Sequence, residues 1–275
     1  MKPISKTAFY CCGVRMQDAE REQPVCGDTY ARAFMNEQGL QILEMFKDET
    51  RPNTSNVGRH RIIDDLLRQE LAANPNLTVV IIGAGFDSRA FRLDGGTWVE
   101  LDEPQVITYK EERLPASSCD NELHRIPIDF ANDSLEQKLA SFAGRSPVTV
   151  VIEGVLMYLE EAAIDQLLQT LRRLFPQHRL ICDLMTRAFF ENAASTIHEK
   201  LTGMGATFKF AVDNPEEVFT RNGYRQVETI PIVEKSVLLE AGEIPPEVWQ
   251  TVQPTLPQGY SIYVFETESP QKAQK

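Results

Sequence analysis

One stretch of this sequence leaves little freedom about what must surround it: Val79-Val80-Ile81-Ile82-Gly83-Ala84-Gly85-Phe86-Asp87-Ser88-Arg89. Four apolar residues in a row predict a strand covered on both faces. Gly83 and Gly85 let the backbone turn sharply and let a ligand come close to the main chain. Asp87 and Ser88 are good helix starters, and Ala90, Phe91 and Leu93 supply apolar residues beyond them. A strand, a glycine turn and a helix at the head of a parallel sheet is where open α/β folds hold nucleotide-like ligands. The turn is an imperfect dinucleotide fingerprint, because Ser88 stands where a third glycine or alanine is expected.

With 275 residues the chain can form one α/β domain with an appendage, or two small domains. Its formal net charge of −12 repels a nucleic-acid backbone, and no basic tract opposes that, so no nucleic-acid partner is expected. No apolar run reaches the length of a signal peptide or a membrane span, which predicts a cytoplasmic protein with no membrane partner. The five cysteines (Cys11, Cys12, Cys26, Cys119, Cys182) are odd in number and lack metal-ligand spacing. They are expected to be reduced thiols, with no metal site. No feature of the sequence specifies an oligomeric state.

Residues 1–56 read as a helical cap ahead of the main domain. The polar run Arg51-Pro52-Asn53-Thr54-Ser55-Asn56 predicts a loop or hinge at its end. Val57 to Ala73 then reads as a helix, with Ile62, Ile63, Leu66, Leu67 and Leu71 on one face and Asp64, Asp65, Arg68 and Glu70 turned to water. Arg59 and Arg61 fall in its first turn, where a cation is electrostatically misplaced, so each is either solvated or held by an anion. Strands are predicted at 78–83, 97–102, 123–129, 147–153 and 178–184. Helical segments at 87–93, 104–114, 132–142 and 160–174 imply parallel crossovers. Residues 186–213 read as an amphipathic insertion able to cover a site. A helix is expected over Pro215–Asn222, then strands over Arg225–Val233 and Ser261–Thr267 with no helix between them, and a frayed tail at 269–275. The main domain is therefore expected over 57–268.

Acids end one predicted strand after another: Asp102, Asp129 and Glu153, with Asp183 closing Leu180-Ile181-Cys182. The ends of parallel strands share one rim, so these carboxylates should converge on the mouth of the glycine turn. A dinucleotide brings phosphates, which a ring of carboxylates repels. S-adenosylmethionine brings no phosphate, a positive sulfur and an ammonium group. Asp102, 17 residues after Gly85, suits the ribose diol. Asp129 suits the adenine amino group, Glu153 the ammonium and Arg59 the carboxylate. The same electrostatics weigh against an NAD(P)-dependent oxidoreductase, the main alternative beside a non-catalytic scaffold.

Several of these segments, taken together, carry a resemblance. Arg59-His60-Arg61-Ile62-Ile63-Asp64-Asp65, the glycine turn, Glu100-Leu101-Asp102-Glu103-Pro104 and Glu153-Gly154-Val155-Leu156-Met157-Tyr158-Leu159 look like the leucine carboxyl methyltransferase family. So do the opening segments Ser5-Lys6-Thr7-Ala8 and Cys26-Gly27-Asp28-Thr29-Tyr30-Ala31. The resemblance implies a seven-stranded, Rossmann-like class I methyltransferase sheet with its last strand antiparallel, an N-terminal helical segment and an inserted lid. It also implies S-adenosylmethionine as cofactor, yielding S-adenosylhomocysteine. By the same resemblance Arg59 contacts the cofactor carboxylate, Gly83 and Gly85 form the turn, Asp102 takes the ribose, Asp129 with Phe130 the adenine, and Glu153 the methionine end. Phe86 and Ser88 depart from what other members often carry.

Methyl transfer from a sulfonium is an in-line displacement in which alignment and water exclusion supply most of the rate. An ionised carboxylate acceptor needs no general base, whereas a hydroxyl acceptor does. The scarcity of candidate bases favours a small-molecule or protein carboxylate. Tyr158 is the candidate for orienting the acceptor. Arg15, Arg32 and His198 are the candidates for binding it.

Overall fold

The computed structural model describes residues 1–242 and 244–268; the tail expected at 269–275 lies outside the described residues. Helices α1 (Thr7–Ala19), α2 (Ala31–Phe34), α3 (Glu37–Met45) and α4 (Thr50–Ala73) precede β1 (Thr78–Ile82). The alternation continues with α5 (Arg89–Arg92), β2 (Thr97–Asp102), α6 (Pro104–Arg113), β3 (Glu122–Pro127), α7 (Leu135–Lys138), β4 (Val148–Ile152), α8 (Glu161–Leu174) and β5 (Arg179–Met185). After α9 (Arg187–Ala193), α10 (Ser195–Gly203) and α11 (Glu217–Arg221) come β6 (Tyr224–Pro231), α12 (Ile232–Ala241), α13 (Pro246–Val252) and β7 (Tyr260–Thr267).

The seven strands form one sheet in the order β3-β2-β1-β4-β5-β7-β6. The first five pair in parallel, and β7 is inserted antiparallel between β5 and β6. Strict alternation along the fully buried β1 feeds two cores. Val79 and Ile81 meet Ile63 and Leu67 of α4, while Val80 and Ile82 meet Ile164, Leu168 and Leu171 of α8. A third core joins the N-terminal helices to the sheet, with Phe86 at its centre, 4.9 Å from the ring of Phe9 and 5.3 Å from that of Phe34. Phe86 is therefore the seat of the N-terminal cap, which accounts for an aromatic residue inside the glycine turn.

Three expectations need correction. The run 51–56 is no hinge: α4 starts at Thr50, and Pro52 is tolerated in the first turn because backbone N–H groups there lack intrahelical partners. Ser55 and Asn56 are buried, and Asn53 accepts from the Tyr10 hydroxyl at 2.8 Å and donates to the Phe46 carbonyl at 2.9 Å. The boundary expected at 56/57 thus falls inside one continuous helix, and Arg59 and Arg61 lie well past its first turn. Secondly, Asp64 is fully buried rather than turned to water, because it lies under Arg89 and Arg92. Thirdly, β6 stops at Pro231, and α12 and α13 fill the connection to β7. Ser236 of α12 seats against Gly58 of α4, where a β-carbon would lie 1.9 Å from its Oγ.

The five cysteines are free thiols. Among the described residues, no helix is long and apolar enough to cross a membrane.

At the sheet's far end the buried His178 has Nδ1 2.6 Å from the Phe175 carbonyl and Nε2 3.1 Å from the Tyr224 hydroxyl. The Phe175 carbonyl can only accept, so Nδ1 carries a proton, and burial favours the neutral imidazole. Burial pulls its pKa down to about 4. The unfolded chain, near 6.5, therefore binds the proton first, and stability falls as pH drops from about 6.5 to 4. Urea denaturation of the His178→Gln variant should show a flatter pH profile over that window, the wild-type loss from this group being at most about 3 kcal/mol.

Candidate active site

The C-terminal ends of β1, β2 and β4 open into a cavity of about 660 Å³. Its lining includes Gly83, Gly85, Asp102, Glu103, Phe130, Glu153, Gly154 and Tyr158. Both glycines of the turn have positive φ, +71° at Gly83 and +46° at Gly85. A β-carbon on Gly83 would meet Val155 Cγ2 at 2.4 Å, so the tight turn admits no side chain there.

Asp102, at the end of β2, points back to the turn. Its carboxylate accepts the backbone N–H of Gly85 and that of Glu103, each at 2.6 Å. Burial nevertheless outweighs these bonds and pushes its pKa up to about 6. A diol donating to this carboxylate would favour the ionised form.

Glu153, at the end of β4, is enclosed by cations. Arg59 Nε donates to it at 3.0 Å and Arg89 Nη2 lies 2.8 Å away, so its pKa is held well below the usual carboxylate range despite burial. Arg59 Nη1 also reaches Asp183 at 3.1 Å and the Tyr260 hydroxyl at 2.7 Å. Asp183 in turn accepts the Gly154 N–H at 2.6 Å. Of the two sequence readings of Arg59, the structure selects an arginine held by anions, and those anions are the protein's own.

Behind this cluster runs a largely buried ionic network. Arg89 bridges Asp64, at 2.6 Å, Asp87 and Glu153. Arg92 pairs with Asp64 at 2.6 Å, and Arg15 with Asp28 at 2.9 Å. Ser88 Oγ donates to Asp28 at 2.5 Å, which gives the residue in the third-glycine position a structural partner. His60, Asp87 and Glu153 come close enough together to hold a metal ion, but Arg89 already stands among them, its Nη2 2.7 Å from His60 Nδ1. A guanidinium supplies the positive charge this acidic group requires.

The structure brings Arg59, Gly83, Gly85, Asp102, Phe130, Glu153, Tyr158 and Arg15 to one cavity. Phe130 is 44% exposed at its mouth. Asp129, Arg32 and His198 do not line it. Asp129 is taken up by Lys2 Nζ at 2.9 Å and Asn132 Nδ2 at 2.8 Å. Arg32 points outward, 66% exposed and 3.8 Å from Glu20. His198 accepts the Phe208 N–H at 3.1 Å within an aromatic cluster of Phe190 and Phe208. No residue of 186–213 lines the cavity either; Ile4, Ser5, Thr7, Ala8 and Cys11 of the N-terminal segment do. The sequence reading gave Asp87 only a helix-starting role and assigned no site role to Arg89 or Tyr260. Asp183 was visible as a strand-end acid, but its partner Tyr260 comes from the far end of the chain.

The leucine carboxyl methyltransferase family model matches residues 8–172. This chain belongs to that family. Over 182 residues it is 30% identical to a protein of Mycobacterium tuberculosis named a putative S-adenosyl-L-methionine-dependent methyltransferase, covering 60% of each chain. The chain thus matches only about 60% of the length of such mycobacterial relatives. It is 26% identical over 250 residues to the tetracenomycin polyketide synthesis O-methyltransferase TcmP of Streptomyces glaucescens, covering 90% of this chain and 88% of that one. Its fold is that of magnesium protoporphyrin IX methyltransferase from Synechocystis, solved with bound S-adenosylhomocysteine. That likeness has a TM-score of 0.52 at 15% identity over 87% of this chain and 99% of the other. It also matches a DUF574-family protein of Streptomyces avermitilis, with a TM-score of 0.60 at 11% identity over 87% and 95% of the two chains. The seven-stranded sheet expected of this family member is present, with its seventh strand antiparallel, and several of these similar proteins are named for S-adenosylmethionine or were solved with S-adenosylhomocysteine. The bare glycine turn and the inward-facing Asp102 fit S-adenosylmethionine.

Proposed function

We propose that this leucine carboxyl methyltransferase family member transfers the methyl group of S-adenosylmethionine to a carboxylate oxygen of a small molecule. The bound cofactor supplies an electrophilic methyl group on a positively charged sulfur. The protein's part is to hold, align and exclude water. Asp102 holds the ribose hydroxyls. Arg59, Glu153 and Gly154 face the methionine end, and Phe130 covers the adenine. Tyr158, whose phenol burial pushes far above its ordinary pKa, stays protonated and donates a hydrogen bond that orients the acceptor.

The observation that carries the carboxylate assignment is that, among the described residues lining the cavity, the one imidazole, His60, and the strand-end carboxylate Glu153 are both already engaged by arginines. His60 is locked, its Nδ1 2.7 Å from Arg89 and its Nε2 2.7 Å from Arg92, and burial lowers its pKa. Glu153 is ionised and saturated by guanidinium groups. An acceptor that arrives already deprotonated requires neither group. Arg15, proposed from the sequence to bind the acceptor, is committed to Asp28 and the Phe86 carbonyl, which leaves recognition to apolar contacts and Tyr158. Apolar lining by Ile4, Ala8, Val155 and Leu159 suits an apolar acid, and the name of TcmP points to a polyketide-sized acceptor.

At a hundred times its dissociation constant, S-adenosylmethionine or S-adenosylhomocysteine should stabilise the fold by about 2.7 kcal/mol, while NAD and NADP produce no melting shift. Incubation with methyl-labelled cofactor and a library of aromatic and aliphatic acids should yield label that mild alkali releases as methanol. Alkali-stable label would instead mark an ether and remove the carboxylate assignment.

A further inference from the structure

The N-terminal segment forms a wall of the cavity through Ile4, Ser5, Thr7, Ala8 and Cys11. Two contacts ahead of the first wall residue fix where its start sits. Lys2 Nζ lies 2.8 Å from Glu103 Oε2 and 2.9 Å from Asp129 Oδ1. Pro3 packs on Gly205, where a β-carbon would come within 2.8 Å of its Cβ.

The two acids belong to different crossovers. Glu103 directly follows the ribose-facing Asp102 at the end of β2 and lines the cavity itself, while Asp129 follows β3 next to Phe130. One ammonium group thus spans the adenosyl half of the mouth from the short stretch ahead of α1, whose Ile4 lacks the core packing that holds Ala8 and Cys11 in the helix. The Lys2 pKa rises through its hydrogen bond to Glu103 and that of Asp129 falls to about 2 through Lys2, as mutual stabilisation requires. The same contact explains why Asp129 lies outside the cavity: its carboxylate is engaged by Lys2, Asn132 and the Ala131 N–H.

We propose that Lys2 is a positioning residue that latches the N-terminal segment shut over the adenosyl half of the cofactor site, by bridging Glu103 and Asp129, so that cofactor release requires the bridge to open. The latch rests on the cofactor assignment for this cavity and adds to it what retains the ligand. Lys2 is 41% exposed, so water and salt compete for the bridge, and it can open and close without unfolding the protein.

The experiment measures S-adenosylhomocysteine release by stopped-flow from the full chain, tagged only at its C-terminus. Lys2→Met should release the ligand about three- to tenfold faster, with the melting temperature of the free protein unchanged and Lys2→Arg restoring slow release. In the wild type the release rate should climb between about 20 mM and 500 mM salt, whereas the Lys2→Met rate should stay flat, a signature that mere packing would not give. Combining Lys2→Met with Asp129→Asn should add nothing beyond the first change. Equal release rates in wild type and Lys2→Met, or fully additive effects of the two substitutions, would overturn the latch, the latter by showing that Asp129 acts on the ligand itself. If wild-type protein binds no S-adenosylhomocysteine at all, the cofactor assignment fails instead, which separates the two claims.

Discussion

Replacing Asp102 with alanine should cut affinity for S-adenosylmethionine and S-adenosylhomocysteine by about a hundredfold or more, while the free protein still folds. A charged acceptor is worth about 1.5–3 kcal/mol per hydrogen bond, and the ribose offers two donors, so the loss exceeds one decade readily. The fold is spared for a reason visible in the site. Burial has pushed the Asp102 pKa up to about 6, so ionising it at neutral pH costs the folded state free energy. The sign is the reverse of the usual carboxylate: the unliganded fold gains stability from this group as pH falls from about 6 to 4. Cofactor affinity runs the other way, because the ionised form is the better acceptor. Titration calorimetry from pH 8 to 5 should show affinity level above about 6 and declining by up to tenfold per unit below it. Affinity within a factor of about three of wild type in the alanine variant would remove Asp102 from the site.

The Arg89→Met variant should lose about 3–5 kcal/mol of folding free energy, the largest effect on stability among the substitutions considered. Arg89 is wholly buried, and its guanidinium lies among Asp64, Asp87, Glu153 and the imidazole of His60. Methionine fills much of the volume but leaves three carboxylates facing one another in a medium where water cannot screen them. Urea unfolding should show a lower midpoint with little change in slope. Cofactor binding should weaken as well, since Glu153 loses one of its two guanidinium partners. The pH dependence follows from the same network. Asp28, held near 2, and Asp64, Asp87 and Glu153, all depressed by neighbouring arginines despite burial, contribute stability above about pH 4 that is lost as pH falls through their folded values. In Arg89→Met that acid limb should move upward in pH. An unchanged limb would mean that the remaining cations, Arg59 and Arg92, suffice.

How much of this could be read from residues alone depends on the range of the interaction. The strands and the turn were legible because Val79–Ile82, Val148–Ile152 and Leu180–Cys182 are apolar runs ended by glycine or an acid, a pattern that neighbours in sequence complete among themselves. Asp102 and Glu153 were legible for the same reason, as strand-end acids on one rim. The helix through Arg51–Asn56 was missed because Asn53 and Asn56 are satisfied by Tyr10, Phe46 and Cys11, which lie 43, 7 and 45 positions from their partners and leave no periodic mark. The helix between β6 and β7 was missed because its apolar residues face α4 through a close crossing at Gly58 and Ser236, and no turn signal announces it.

By itself the sequence determined the parallel α/β sheet, the bare glycine turn and the carboxylates above it, since strand periodicity and strand-end position are local properties of the chain. Tertiary structure alone decided which charges are free to act. Arg59, Arg89 and Arg15 look alike on paper as available cations, yet folding encloses each among partners drawn from up to 201 residues away. It also paired Asp129 with Lys2 outside the cavity, and gave one wall of that cavity to the N-terminal segment. Ion pairing between distant positions carries no signature in either residue's neighbourhood, so only the folded chain reveals it.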